Sequence, residues 1–208
     1  ICCFRDVILK IFSKGVFETW ILEKYPDLAS LEEHTVWSCG SLAQLVLESG
    51  GIFQKDHPVA HRAAKLVGAC HGLTNALRTS IPVILTTGKL VIPQDLRQKY
   101  NVKSPRYLLS ALGPGDEECI QSLGMAVQEI ANLAQDRLKE ARSLGGGVGH
   151  ILAPCVGSSI TRLGIGSIFE LMEQYNFDLT NKDLRHVSWS EHAKCATRMM
   201  QASYQQTC

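Results

Sequence analysis

Two histidines and two carboxylates are the residues whose spacing could do chemistry. His57 and His61 stand four residues apart, which puts both rings on one face of a helix and suits an H-x-x-x-H metal site. No acidic residue accompanies them in a zincin-like pattern, and no third ligand is apparent. The expectation is two polar positions on a helix rim. Asp136 and Glu140 share the same spacing, which lets two carboxylates grip one divalent cation. Arg137 and Lys139 lie between them and Arg142 follows. That pattern reads as a solvated, salt-bridged helix face. Gly145-Gly146-Gly147-Val148-Gly149 has the glycines to cradle a phosphate, but it follows no strand and lacks a G-K-[ST] sequence. A helix stop is expected there. Neither D-x-x-x-D nor D-D-x-x-D occurs, and neither does G-x-S-x-G. No nucleophile is marked by its neighbours.

Composition narrows the classes. The chain has 208 residues, 45% hydrophobic and 20% charged, enough for one domain with a real core, spanning residues 1–208. With 21 basic and 20 acidic side chains the net charge is +1, so no electrostatic footprint for nucleic acid is present. The eight cysteines form no C-x-x-C and sit mostly in apolar helical patterns. Buried free thiols in a reducing compartment are expected, not a disulfide framework. No run of about 20 apolar residues could span a bilayer. The chain begins at Ile1, not at methionine, so a longer precursor with an upstream targeting segment is expected.

The elements that must position these residues are helices. Ile1 to Tyr25 carries apolar residues at helical spacing, with a break at Gly15 and an end at Pro26. Ser30 and Glu33 form a capping box at the start of a helix running to about Glu48, where Gly50-Gly51 stop it. A third helix starts near Pro58 and carries Ala60, Ala63, Ala64, Val67, Cys70, Leu73 and Leu77 on one period, with Pro82 expected to kink or end it. Pro93 to Tyr100 reads as a short helix and Asn101 to Pro105 as a turn. Asp116-Glu117-Glu118 open a fourth long helix to about Leu144, the acids lying at the positive end of its dipole. Ile151 to Val156 and Ile160 to Phe177 read as one broken helix or two short ones, Asn176 to Leu179 as a turn, and Ser190 to Tyr204 as a last helix. Leu90-Val91-Ile92 is the one short stretch that reads as strand. The fold class is all-α, a bundle of long helices with short connections.

Several segments, in order, resemble the squalene/phytoene synthase family of all-α isoprenoid synthases. Phe17-Glu18-Thr19-Trp20-Ile21 with Asp27-Leu28 is similar to the stretch before that family's tyrosine-bearing helix. Leu31-Glu32-Glu33-His34, Ser38, Ser41 and Leu42 resemble that helix, with His34 at the tyrosine position. Gly68, Gly72, Leu73, Asn75, Leu77 and Arg78 resemble the second aspartate-rich helix. Gly88 to Pro93 with Asp95-Leu96 resembles the flap, and Ala141-Arg142 and Tyr175-Asn176-Phe177 continue the likeness. In active members the second helix reads N-x-L-R-D-x-x-E-D, whose acids hold Mg²⁺ against a diphosphate leaving group. Here those acidic positions are Thr79, Pro82 and Val83. The family's first aspartate-rich helix would lie before Ile1.

The resemblance is nearest to the family's non-catalytic mitochondrial branch, which helps assemble NADH:ubiquinone oxidoreductase, respiratory complex I. It implies an isoprenoid-synthase-like bundle lacking part of its N-terminal end. It also implies no catalytic residue, no metal and no cofactor, with Asn75 and Arg78 left to line a relict pocket. Partners would be proteins of a mitochondrial complex, in the matrix or at the matrix face of the inner membrane, with peripheral membrane association and no spanning segment. The competing expectations are a Mg²⁺-dependent prenyl synthase using Asp136 and Glu140, and a carrier of prenyl lipid.

Overall fold

The computed structural model describes residues 25–111, 116–144 and 165–181. The helices expected before Tyr25, within 151–156 and over Ser190 to Tyr204, and the glycine run at 145–149, lie outside these residues.

The first described turn begins where the chain leaves Pro26. Asp27 is the N-cap of α1, Leu28–Thr35, and its Oδ1 accepts from the Ser30 amide and from the Ser30 hydroxyl, each at 2.7 Å. The cap therefore lies three residues before the expected serine. An aspartate at N-cap both accepts a free backbone N–H and carries the charge the helix dipole favours, so it outcompetes the downstream box. Those bonds, side chain first, lower the Asp27 pKa. A second carboxylate helps, as Asp95 Oδ2 accepts from the Leu28 amide at 3.1 Å.

The rod continues past Thr35, but not as one regular helix. Val36–Gly40 is π-helical and α2 covers Ser41–Ser49. Residues in a π turn bond five apart instead of four, so one extra residue is accommodated. The Ser38 hydroxyl bonds back to the His34 carbonyl at 2.8 Å. This widening lets the inner side of the rod come close to α3, Pro58–Thr87. A Cβ on Gly68 would stand 2.5 Å from Gly40 N and 2.6 Å from the Cys39 carbonyl carbon. One on Gly72 would stand 2.6 Å from Thr35 Cβ. Both positions exclude any side chain, which explains two glycines inside a helix that propensity alone would disfavour.

α3 is the longest element. Pro58 occupies its first turn, where a missing N–H costs nothing. Contrary to expectation, Pro82 does not end it. The helix runs without interruption to Thr87, and Gly88, at φ 66°, closes it with its amide on the Ile84 carbonyl at 2.9 Å. An interior proline costs about 3 kcal/mol. Leu77, Ile81 and Ile84 on the same segment are all buried, and each buried aliphatic side chain stabilises by about 1.5–3 kcal/mol. Packing outweighs the local penalty.

Leu90-Val91-Ile92 is not a strand. No extended neighbour exists among the described residues to share a ladder, and Leu90 and Ile92 instead insert into the core. The chain then forms α4, Gln94–Lys99, and α5, Pro105–Ala111, a helix that starts where the sequence predicts only a turn. The start of α4 is stitched to the start of α1. The Gln94 amide donates to the Tyr25 carbonyl at 2.8 Å, and the Asp95 amide to the Pro26 carbonyl at 3.1 Å. Asp95→Ala removes the distant cap of α1 and is expected to cost about 1 kcal/mol. A urea titration followed by helical circular dichroism reads this loss, and an unchanged midpoint contradicts the shared cap.

α6, Glu117–Leu144, runs antiparallel to α3. Arg62 near the start of α3 reaches Glu140 near the end of α6 at 2.9 Å. Their contact is the main core, where Leu73, Leu77, Ile81 and Ile84 meet Leu123, Val127, Ile130 and Leu138. Phe169 and Met172 of α7, Ile165–Gln174, join it, as does Leu179 beyond. A smaller core of Leu47, Ala60, Ala63, Ala64, Val67 and Ala141 lies under α2, where the alanines of α3 let the helices approach. The turn expected at Asn176 is present, with positive φ at Asn176 and Phe177. Among the described residues the fold is all-α, and no helix is long and apolar enough to cross a membrane.

Candidate functional site

The residues of interest lie on the second half of α3. Its core side buries Leu73, Leu77, Ile81 and Ile84. Turning the helix by its 3.6-residue period brings His71, Asn75, Thr79 and Val83 onto a stripe one turn apart, with Arg78 beside Asn75. Asn75, Thr79 and Val83 are half-buried and Arg78 is exposed. Because the helix is unbroken, Thr79 and Val83 share a side. The expected end of the helix at Pro82 does not occur.

The polar groups of the stripe are engaged within the helix. Arg78 Nη2 donates to Asn75 Oδ1 at 3.0 Å, a pairing between neighbours three apart. The Thr79 hydroxyl donates to the Asn75 carbonyl at 2.8 Å. The buried Ser80 hydroxyl does the same to Ala76 at 2.8 Å. Hydroxyls that back-bond in this way satisfy themselves without a tertiary partner. His71 was not singled out from the sequence, although its spacing to Asn75 was visible there. Partial desolvation, then the nearby Arg78 charge, lowers its pKa, so the imidazole is held toward its neutral form.

The other sequence candidates do not converge on this stripe. His57 is the exposed N-cap of α3. His61 is not a rim residue. It is 1% exposed, and its Nε2 lies 2.8 Å from the Ile52 carbonyl. A carbonyl can only accept, so Nε2 carries the proton and is not free to ligate. The alternation of small residues around His61 hides this burial in the sequence, since an apolar period of alanines admits one satisfied polar group.

Asp136 and Glu140 form the salt-bridged face that their neighbours predicted. Glu140 holds Arg62 at 2.9 Å and Arg137 at 3.3 Å on its two oxygens. Lys139 pairs with Asp136 at 3.3 Å. Arg137 also grips Glu32 of α1 through Nε and through Nη2, the latter at 3.1 Å. This chain of charges ties α1, α3 and α6 together, a tertiary role that spacing along α6 could not reveal. Glu140, with both oxygens facing guanidinium groups, is poorly placed to take a cation.

The thiols in view are free: Cys70 and Cys119 are buried and Cys39 is half-buried. Burial pushes the Cys70 thiol up to about 12, so it stays protonated and unreactive near neutral pH. Among the described residues no group of three or more histidine, cysteine or acidic side chains is placed to hold a metal.

Residues 10–192 match the family model described as squalene/phytoene synthase. The chain belongs to the squalene/phytoene synthase family. No curated protein matches it. The all-α architecture agrees with the isoprenoid-synthase fold of this family, and the match covers most of the chain. Active members of the family, by the resemblance, hold Mg²⁺ at the positions of this stripe. Mg²⁺ demands several oxygen donors, carboxylates first. Val83 has no donor atom, Pro82 has none in its ring, and the one hydroxyl, on Thr79, is neutral and turned to the backbone. The residues at these positions do not fit a Mg²⁺ clamp.

Proposed function

We propose that this member of the squalene/phytoene synthase family is non-catalytic, and that its fold is retained for shape and surface. It acts as a protein-binding module in mitochondria, in the assembly of NADH:ubiquinone oxidoreductase or as an accessory subunit of it. Its place is the matrix or the matrix face of the inner membrane. The observation that carries the non-catalytic reading is the α3 stripe, where Thr79, Pro82 and Val83 stand at the acidic positions on an otherwise well-formed helix. Ionising a prenyl diphosphate needs dense positive charge beside the leaving group, and neutral side chains cannot gather it. The assembly reading draws support from the order and spacing of the segments that resemble the family's non-catalytic branch.

Affinity purification of the tagged chain from mitochondria tests the partner. Components of NADH:ubiquinone oxidoreductase, or of its assembly intermediates, are expected to co-purify at fixed proportion. Their absence, with the bait recovered intact, counts against this partner.

A further inference from the structure

The rod of α1, the π segment and α2 has two unlike sides. Its inner side meets α3 through Thr35, Gly40 and Leu47, all buried. Its outer side carries Trp37, Leu42 and Val46, which are 40%, 50% and 45% exposed. Leu42 and Val46 are one α-helical turn apart. Trp37 and Leu42 are five apart, and in a regular α-helix such a pair points to different sides. The five-residue bonding of Val36–Gly40 adds a residue to the turn between them and carries Trp37 toward Leu42. The irregularity in the rod thus brings the exposed Trp37 nearer the side that carries Leu42 and Val46.

The charges carried by the rod's own segment are of one sign. Between Pro26 and Gln54 the chain has Asp27, Glu32, Glu33 and Glu48, and no lysine or arginine. Glu32 is paired with Arg137. Glu33 borders the strip directly, accepting from Trp37 Nε1 at 3.4 Å. Lys65 of α3 borders the rod on its inner edge, its stem against Gly40. An apolar strip with acidic margins complements an amphipathic helix whose polar side is basic. The same acids oppose an anionic bilayer surface, which attracts basic segments. Aromatic anchors such as Trp37 carry much of the energy in such interfaces.

We infer that Trp37, Leu42 and Val46 form the docking strip for a basic amphipathic helix of a partner protein. The inference rests on the reading of the chain as a protein-binding module. The probe is a fluorescent synthetic amphipathic helix of leucine and lysine, with a leucine–glutamate helix as its counterpart. Anisotropy titration is expected to show saturable binding of the basic helix and weaker binding of the acidic one. The variant Leu42→Lys/Val46→Lys changes two exposed side chains and is expected to keep its thermal midpoint. It is expected to weaken binding of the basic helix by about tenfold or more. Equal affinity for both helices, or an unchanged affinity in the variant, overturns the inference. Two further results overturn it as well. One is sedimentation of the chain with vesicles of phosphatidylcholine and phosphatidylglycerol that the variant abolishes. The other is a self-associated species that the variant dissolves. Failure here is separable from failure of the broader reading. If mitochondrial components co-purify equally with wild type and variant, the module stands and the strip is wrong.

Discussion

Replacing Gly68 by alanine is expected to destabilise the fold by about 3 kcal/mol, at the upper end of overpacking costs. The new methyl would stand 2.5 Å from Gly40 N and 2.6 Å from the Cys39 carbonyl carbon. These are backbone atoms, so no rotamer change relieves the clash. The rod must back away from α3, which opens the small core of Leu47, Ala60, Ala63, Ala64 and Val67. A propensity argument predicts the opposite sign, since alanine favours a helix interior over glycine by about 1 kcal/mol. The two effects therefore part cleanly in a urea or thermal midpoint. A stabilised Gly68→Ala chain would show that the π segment does not pack on α3 as described.

Pro82→Ala is expected to stabilise the fold, by about 1–3 kcal/mol. α3 passes through this position as continuous helix. The proline supplies no N–H to the carbonyl four residues before it, that of Arg78, and alanine restores the donor. If Pro82 instead ended the helix, as the isolated sequence implies, alanine there would bring little gain in midpoint. A gain in midpoint without a change in helical content supports the continuous helix.

These two positions also show where the sequence could and could not be read. Helix starts at Pro58 and Glu117 and the stop at Gly50 were legible, because capping chemistry is local. The end of α3 was misplaced at Pro82, because the energy that carries the helix onward comes from Leu77, Ile81 and Ile84 meeting α6, remote in sequence. The π segment left no local signature. It answers to the approach of Gly40 to Gly68, a contact between helices. Leu90-Val91-Ile92 had the composition of a strand, but a strand needs a neighbour and the core took Leu90 and Ile92 instead. The cap of α1 was displaced to Asp27, since the pairing of Asp27 and Asp95 around one helix start joins two distant stretches.

The candidate site was legible in its chemistry and not in its geometry. That Thr79, Pro82 and Val83 lack metal-binding groups follows from their identity alone. That Thr79 and Val83 nevertheless share one side of an unbroken helix required the structure. The distinction matters for mechanism. The stripe fails as a Mg²⁺ clamp for want of oxygen donors, and not because its helix is broken. Likewise Asp136 and Glu140 had the spacing of ligands, while Arg62 and Arg137 had the positions that neutralise Glu140.

The proposed non-catalytic role predicts that the chain does not ionise prenyl diphosphates. Its most direct test is release of inorganic diphosphate from a prenyl diphosphate incubated with the purified chain and Mg²⁺. The expected result is release equal to that of a protein-free blank, with or without the metal. Release above the blank that requires Mg²⁺ and disappears with a chelator would contradict the account.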